Sequence, residues 1–148
     1  MNKYRKVLDN RGVTLVFVLA VLLIMSTLSV AIFALFSSNM NEEQMQTDAI
    51  RAHYVAQTGV DVAFGALLQN NRSLLTSYFD KATTVVITPL SDTVTLDNGS
   101  ASIVVSSYVE GTERFVLITS TGSISNSSVT QVSKMSFNVK YPQIQKWE

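Results

Sequence analysis

The chain has 148 residues, with eleven basic and eleven acidic side chains, no cysteine and a single histidine, His53. That length suits one domain plus an anchor, and without cysteine neither a disulfide framework nor a thiolate metal site is possible. Lys3, Arg5, Lys6 and Arg11 face only Asp9 near the start, so the rest of the chain is net acidic and lacks the clustered Lys and Arg of a nucleic-acid surface.

Residues 1–12 read as a short basic leader ending at Arg11-Gly12. An apolar run begins at once. From Val13 to Phe36 there is no charge, Gly or Pro, and the polar side chains are Thr14, Ser26, Thr27 and Ser29. Their hydroxyls can bond back to helix carbonyls. As a helix this run rises about 36 Å, enough to cross a hydrocarbon core of about 30 Å. It is too long for the apolar region of a cleaved secretory signal. Basic residues before it and Glu42, Glu43 and Asp48 after it predict a cytoplasmic N-terminus, with the bulk of the chain outside.

The helical pattern continues through 37–70. Ala49, Ala52, Ala56, Gly59, Ala63 and Ala66 recur every three or four residues, a stripe of small side chains that admits close approach of another backbone. Val60, Phe64, Leu67 and Leu68 add bulk beside it. Gly59 and Gly65 are places where the helix could bend, and Asn70-Asn71 is its expected stop, since Asn tolerates the left-handed backbone of a C-terminal cap.

Residues 71–148 form the expected sheet domain. Thr83–Thr88 and Thr93–Leu96 are strand candidates divided by Pro89, and Asn98-Gly99 predicts a hairpin turn with positive φ. Ala101–Glu110, a Gly111-Thr112 turn, Arg114–Ser120, a loop over 121–128 and Val129–Tyr141 follow. In the last strand Met135, Phe137, Val139 and Tyr141 alternate with Lys134, Ser136, Asn138 and Lys140. Its apolar face needs a cover, and residues 49–68 are the amphipathic segment available. The expected fold is therefore α+β: a long N-terminal helix whose distal part packs on an antiparallel meander of four to five strands.

Catalytic chemistry finds little support. His53 has neither a second His nor Asp48 or Asp61 at a ligand spacing, so it reads as a solvated helix residue. Glu42 and Glu43 diverge by about 100° on a helix and read as a solvated collar rather than an acid–base pair. No Gly-x-Ser-x-Gly context surrounds any serine, and Gly99 and Gly122 read as isolated turn glycines. Phe115, Phe137, Tyr141 and Trp147 fit a sheet core and edge. Neither an enzyme nor a cofactor is expected.

The order of basic leader, Arg11-Gly12, Val13-Thr14-Leu15 and unbroken apolar helix resembles a type IV prepilin with a class III leader. Arg51-Ala52-His53-Tyr54-Val55-Ala56-Gln57-Thr58-Gly59-Val60-Asp61 is similar to the A-x-Y-x-A-E-x-G-I-E stretch of PilX-type minor pilins. Phe115–Gly122 is similar to their Y-x-I-x-S-x-G strand. The resemblance implies cleavage by prepilin peptidase between Gly12 and Val13, N-methylation of Val13, and assembly with other pilin subunits through 13–36. It also implies residence in the lipid bilayer of the cytoplasmic membrane, an inner-membrane assembly platform as partner, and delivery to an extracellular pilus or periplasmic pseudopilus. Two departures matter. Phe17 stands where most pilins carry Glu, which points to a minor subunit near the tip or in an initiating complex, and Gln57 replaces the usual Glu of the second motif. A pseudopilin of type II secretion, a pilus for DNA uptake and a permanent single-pass membrane protein with a partner-binding outer domain share the same N-terminal design.

Overall fold

The structure, a computed structural model, describes residues 11–148; the basic leader through Asn10 lies outside the described residues. Helix α1 (Arg11–Phe79) is followed by strands β1 (Leu90–Leu96), β2 (Gly99–Glu110), β3 (Glu113–Ile124), β4 (Thr130–Asn138) and β5 (Gln145–Trp147). The strands form one antiparallel sheet in the order β1-β2-β3-β4-β5. The fold is α+β, a long apolar helix with a five-stranded meander. Two compact units divide the chain, one ending at Glu43 and one spanning Gln44–Glu148.

In the first unit the apolar run is helical. Ser26 and Thr27 donate to the carbonyls of Leu23 and Ile24, and Ser29 donates to Met25. Back-bonding of this kind hides hydroxyls that would be costly to leave unpaired in an apolar medium.

In the second unit α1 lies on the sheet through its small residues. Ala52, Ala56, Gly59 and Ala63 are buried, Ala49 is half-buried and Ala66 is exposed. Opposite them stand Ala101, Ser120 and Gly122 on β2 and β3. A Cβ on Gly122 would collide with the backbone of Ala52 and Ala56, and one on Gly59 would collide with the side chains of Ser120 and Ala101. Gly122 is thus a contact glycine inside β3, not the loop glycine of the sequence reading, and β3 runs through it to Ile124. Beyond this close approach the gap widens and larger side chains fill it. Val60, Leu67, Ile103, Val105, Val116, Ile118, Met135, Phe137 and Val139 make the core, and Phe64 meets Phe137 edge-on at 5.2 Å.

Gly59 and Gly65 stay helical. The helix breaks at Gln69–Arg72, where Asn70, Asn71 and Arg72 all have positive φ. Helical geometry resumes at Ser73 and carries Leu75 and Phe79, 1% and 0% exposed, into the core. The cover over the sheet therefore includes a second helical stretch as well as residues 49–68.

Three other expectations change. Thr83–Thr88 is not a strand. Arg114, 7% exposed, donates through Nη2 to the carbonyl oxygens of Ala82 and Val85, 2.7 Å each, and Val85 N–H closes a turn onto Ala82. Those acceptors are drawn to a guanidinium instead of a ladder, a tertiary contact overriding β-propensity. At the first hairpin Leu96 pairs with Gly99, yet neither Asp97 nor Asn98 has positive φ. Gly99 is needed because a Cβ there would strike the carbonyl of Ser123. The positive φ sits at Gly111 instead, first of the two residues between Glu110 and Glu113, as a type II′ turn requires. In β4, Ser136 and Asn138 are buried along with Met135 and Phe137, and Val139, buried, and Tyr141, half exposed, lie beyond the strand. Asn138 donates to the Glu113 carboxylate and accepts from Lys140 N–H, so its burial leaves no polar group stranded.

Among the described residues two buried side-chain atoms are stranded, Arg114 Nε and Ser120 Oγ. Ser120 Oγ, at the helix–sheet contact, has no hydrogen-bond partner and the residue is 0% exposed. Replacing Ser120 with Ala is expected to leave stability unchanged or raise it by about 1 kcal/mol, because an unpaired hydroxyl is removed with little change of volume. Thermal unfolding followed by circular dichroism checks this. A loss above about 1 kcal/mol would mean the hydroxyl is satisfied after all.

Candidate functional site

The chemistry-bearing candidates of the sequence fall in the first turns of α1. Gly12 and Val13 are both helical. A Cβ at Gly12 would meet nothing within 4 Å. Glycine inside a helix is less favourable than Ala by about 1 kcal/mol, so neither helix propensity nor packing among the described residues calls for glycine here. That contrasts with Gly59 and Gly122, whose missing Cβ atoms are demanded by neighbours.

From Gly12 through Phe36 every side chain is exposed. Val13 is 70% exposed and Phe17 68%. Gly12, Val13, Val16, Phe17 and Ala20 share one shallow apolar surface. At about 25 cal/mol per Å² of apolar area, a run of bare Leu, Val, Ile and Phe of this length cannot stand in water. It requires lipid or protein around it. The helix is long and apolar enough to cross a membrane. Phe17 places an aromatic ring on that surface, where a carboxylate would carry a charge needing a partner in an apolar surrounding.

Elsewhere the candidates stay apart. His53, Glu42 and Glu43 are exposed on α1. His53 lies beside the ring of Tyr54 with centroids 6.1 Å apart. Gln57 is half-buried on the flank of the small-residue stripe, so the second motif sits at the helix–sheet junction, with Ala52, Ala56, Gly59 and Val60 inward and His53, Tyr54 and Asp61 outward. Phe115 stacks on Tyr108 at 5.4 Å, and Phe137 belongs to the core. The residues of the two similar stretches thus meet each other: Gly122 closes on Ala52 and Ala56, and Ser120 on Gly59. Sequence reasoning missed Arg114, whose buried guanidinium organises the 80–89 segment. A lone Arg between Glu113 and Phe115 gave no periodic sign of facing inward.

No protein-family model, curated protein or solved structure matches the chain.

Proposed function

We propose that the chain is a minor type IV pilin or pseudopilin subunit, a structural component with no catalytic role of its own. In this reading prepilin peptidase cuts between Gly12 and Val13, the new N-terminus is methylated, and Val13–Phe36 leaves the bilayer to pack among the same helices of neighbouring subunits. The observation that carries the reading is the bare, uncharged helix of residues 13–36 directly behind a glycine that no contact among the described residues requires. A peptidase that must fit the backbone closely at the cut supplies the missing reason for that glycine. Lipid contacts are exchanged for protein contacts of equal polarity, so transfer into a fibre costs little solvation.

Phe17 supports a minor position. A shaft subunit with an acidic side chain there can neutralise the terminal amine of a neighbour, and Phe17 cannot. A subunit of this kind sits where no such amine needs pairing, at the tip or in an initiating complex.

Sequencing and quantifying the mature N-terminus in sheared fibres tests both parts together. The expected result is methylated Val13 at an abundance far below that of the main subunit, and no mature form when Gly12 is replaced by a bulky residue. An intact Met1 would indicate a permanent membrane protein, a terminus near Ser37 would indicate release by signal peptidase, and abundance equal to the main subunit would rule out the minor position.

A further inference from the structure

We propose that residues 85–88 are a strap poised to extend β1 along an open border of β2, and that Arg114 holds the strap off. The device is independent of the assembly reading above. β1 pairs with β2 from Leu96 and Gly99 as far as Leu90 and Val105, while β2 itself runs on to Glu110. Two-residue turns close both ends of β2, after Leu96 and after Glu110, and the residues flanking such a turn exchange hydrogen bonds. Alternation counted from either end gives the same result: the odd-numbered residues of β2 point their backbone groups toward the β1 side. Ser107 and Val109 therefore present N–H and C=O groups to a border that β1 does not reach. Among the described residues those groups have no hydrogen-bond partner.

The same register, continued, sets Thr88 opposite Ser107, Ile87 opposite Tyr108 and Val86 opposite Val109. Thr88 and Val86 are then the residues that exchange bonds with β2. Pro89 falls opposite Ser106, where its nitrogen faces away from β2, so the missing N–H costs this ladder nothing. Thr83 to Thr88 are β-branched without exception, the composition that favours extended pairing. Val86, Ile87 and Thr88 make no backbone hydrogen bond among the described residues, and the Val86 side chain is 95% exposed.

Arg114 accounts for where the ladder stops. Its Nη2 holds the carbonyls of Ala82 and Val85, and its Nη1 holds Ser107 Oγ. In an extended β1 the Val85 carbonyl would point away from β2, out of reach of a side chain on β3. Clasp and strap therefore compete for Val85. Each arrangement carries a penalty. The clasp buries Nε without a partner. Closing the strap turns Ile87, now packed against the core, to the Tyr108 side and turns Val86 inward. Two packings with opposing penalties make a two-state element.

Amide hydrogen exchange, followed by NMR on the full chain in detergent micelles, tests the strap. Arg114→Met removes the clasp and fills most of its volume. It is expected to slow exchange at Val86, Thr88, Ser107 and Val109 by about tenfold or more, while Val85 and Ile87, whose N–H groups would face away from β2, stay fast. A segment that is merely loosened would leave all of these amides fast and would overturn the proposal. Because Arg114→Met can also cost the fold, a second measurement keeps Arg114 in place. The chain has no cysteine of its own. Ile87→Cys with Tyr108→Cys would stand directly opposite in the closed strap, at a position where Cα atoms lie about 4.5 Å apart, within disulfide reach. Val86→Cys with Tyr108→Cys is the control, since strand alternation puts those side chains on opposite faces. Mild oxidation is expected to join the first pair about tenfold faster than the control. Equal rates, or no disulfide in either pair, would sink the idea.

Discussion

Replacing Gly122 with Val is expected to abolish cooperative unfolding of the helix–sheet unit. The new Cβ would fall on the carbonyl oxygen of Ala52 and the amide nitrogen of Ala56, atoms of a helix backbone that cannot rotate aside as a side chain tip can. Relief requires the whole helix to withdraw from β3, which opens the contacts of Ala52, Ala56 and Gly59 together. Overpacking a tight core typically costs about 1–3 kcal/mol, and a backbone collision of this kind belongs to the exceptional class above about 4 kcal/mol. Domains of this size have about 5–15 kcal/mol in all. Circular dichroism melting of the full chain in detergent reads the outcome. Gly65→Ala is the matched control: its Cβ meets open space in an exposed helical position, so it should stabilise by about 1 kcal/mol. A Gly122→Val protein that melts like the parent would refute the close approach.

Phe79→Ala is expected to cost about 3–5 kcal/mol, the range for removing a buried aromatic ring and leaving a cavity. Phe79 is 0% exposed and closes the core together with Leu75, Val116, Phe137 and Val139. It is also the last residue of the helical stretch that follows the break at Gln69–Arg72. Losing it removes the anchor of that stretch, so the surroundings have little means of collapsing into the void. The midpoint of urea unfolding measures the effect, and the neighbouring Tyr78→Ala, 45% exposed, should cost under about 1 kcal/mol. Equal losses at 78 and 79 would mean that the second helical stretch does not seat as described.

The parts of the fold that were legible in sequence are those decided locally. An unbroken apolar run declares a lipid-length helix whatever surrounds it. Asn70-Asn71 announces the end of a helix because its side chains tolerate left-handed backbone, and both are left-handed there, with Arg72 after them. The alternation of Met135 and Phe137 with Lys134 and Ser136 gave the inward face of β4, although it could not reveal that Ser136 and Asn138 are covered as well. What escaped was decided by distant partners. Thr83–Thr88 has strand composition, but Ala82 and Val85 are held by Arg114, about thirty positions further on. Gly122 reads as a turn because its true reason, the helix backbone at Ala52 and Ala56, lies far away in sequence. Ser73–Phe79 is too short for a period to stand out after a break, and β5 has three residues. At the candidate site Gly12, Val13 and Phe17 stand out by their order along the chain, and the fold adds an independent fact: among the described residues nothing lies within 4 Å of a Cβ at Gly12.

The strand order has a consequence for how copies of this chain can join. A five-stranded meander has two open borders, and any open border offers unpaired amides and carbonyls to another chain. Here β1 is preceded by Pro89 and carries Asp92, while β5 is three residues long and carries Lys146. Proline withholds a donor, the charges resist being covered, and a three-residue border is too short to template much. The sheet is thereby guarded against growing sideways into an aggregate. The bare apolar area left for contact with lipid or protein is the uncharged surface of Val13–Phe36, exposed along its whole length.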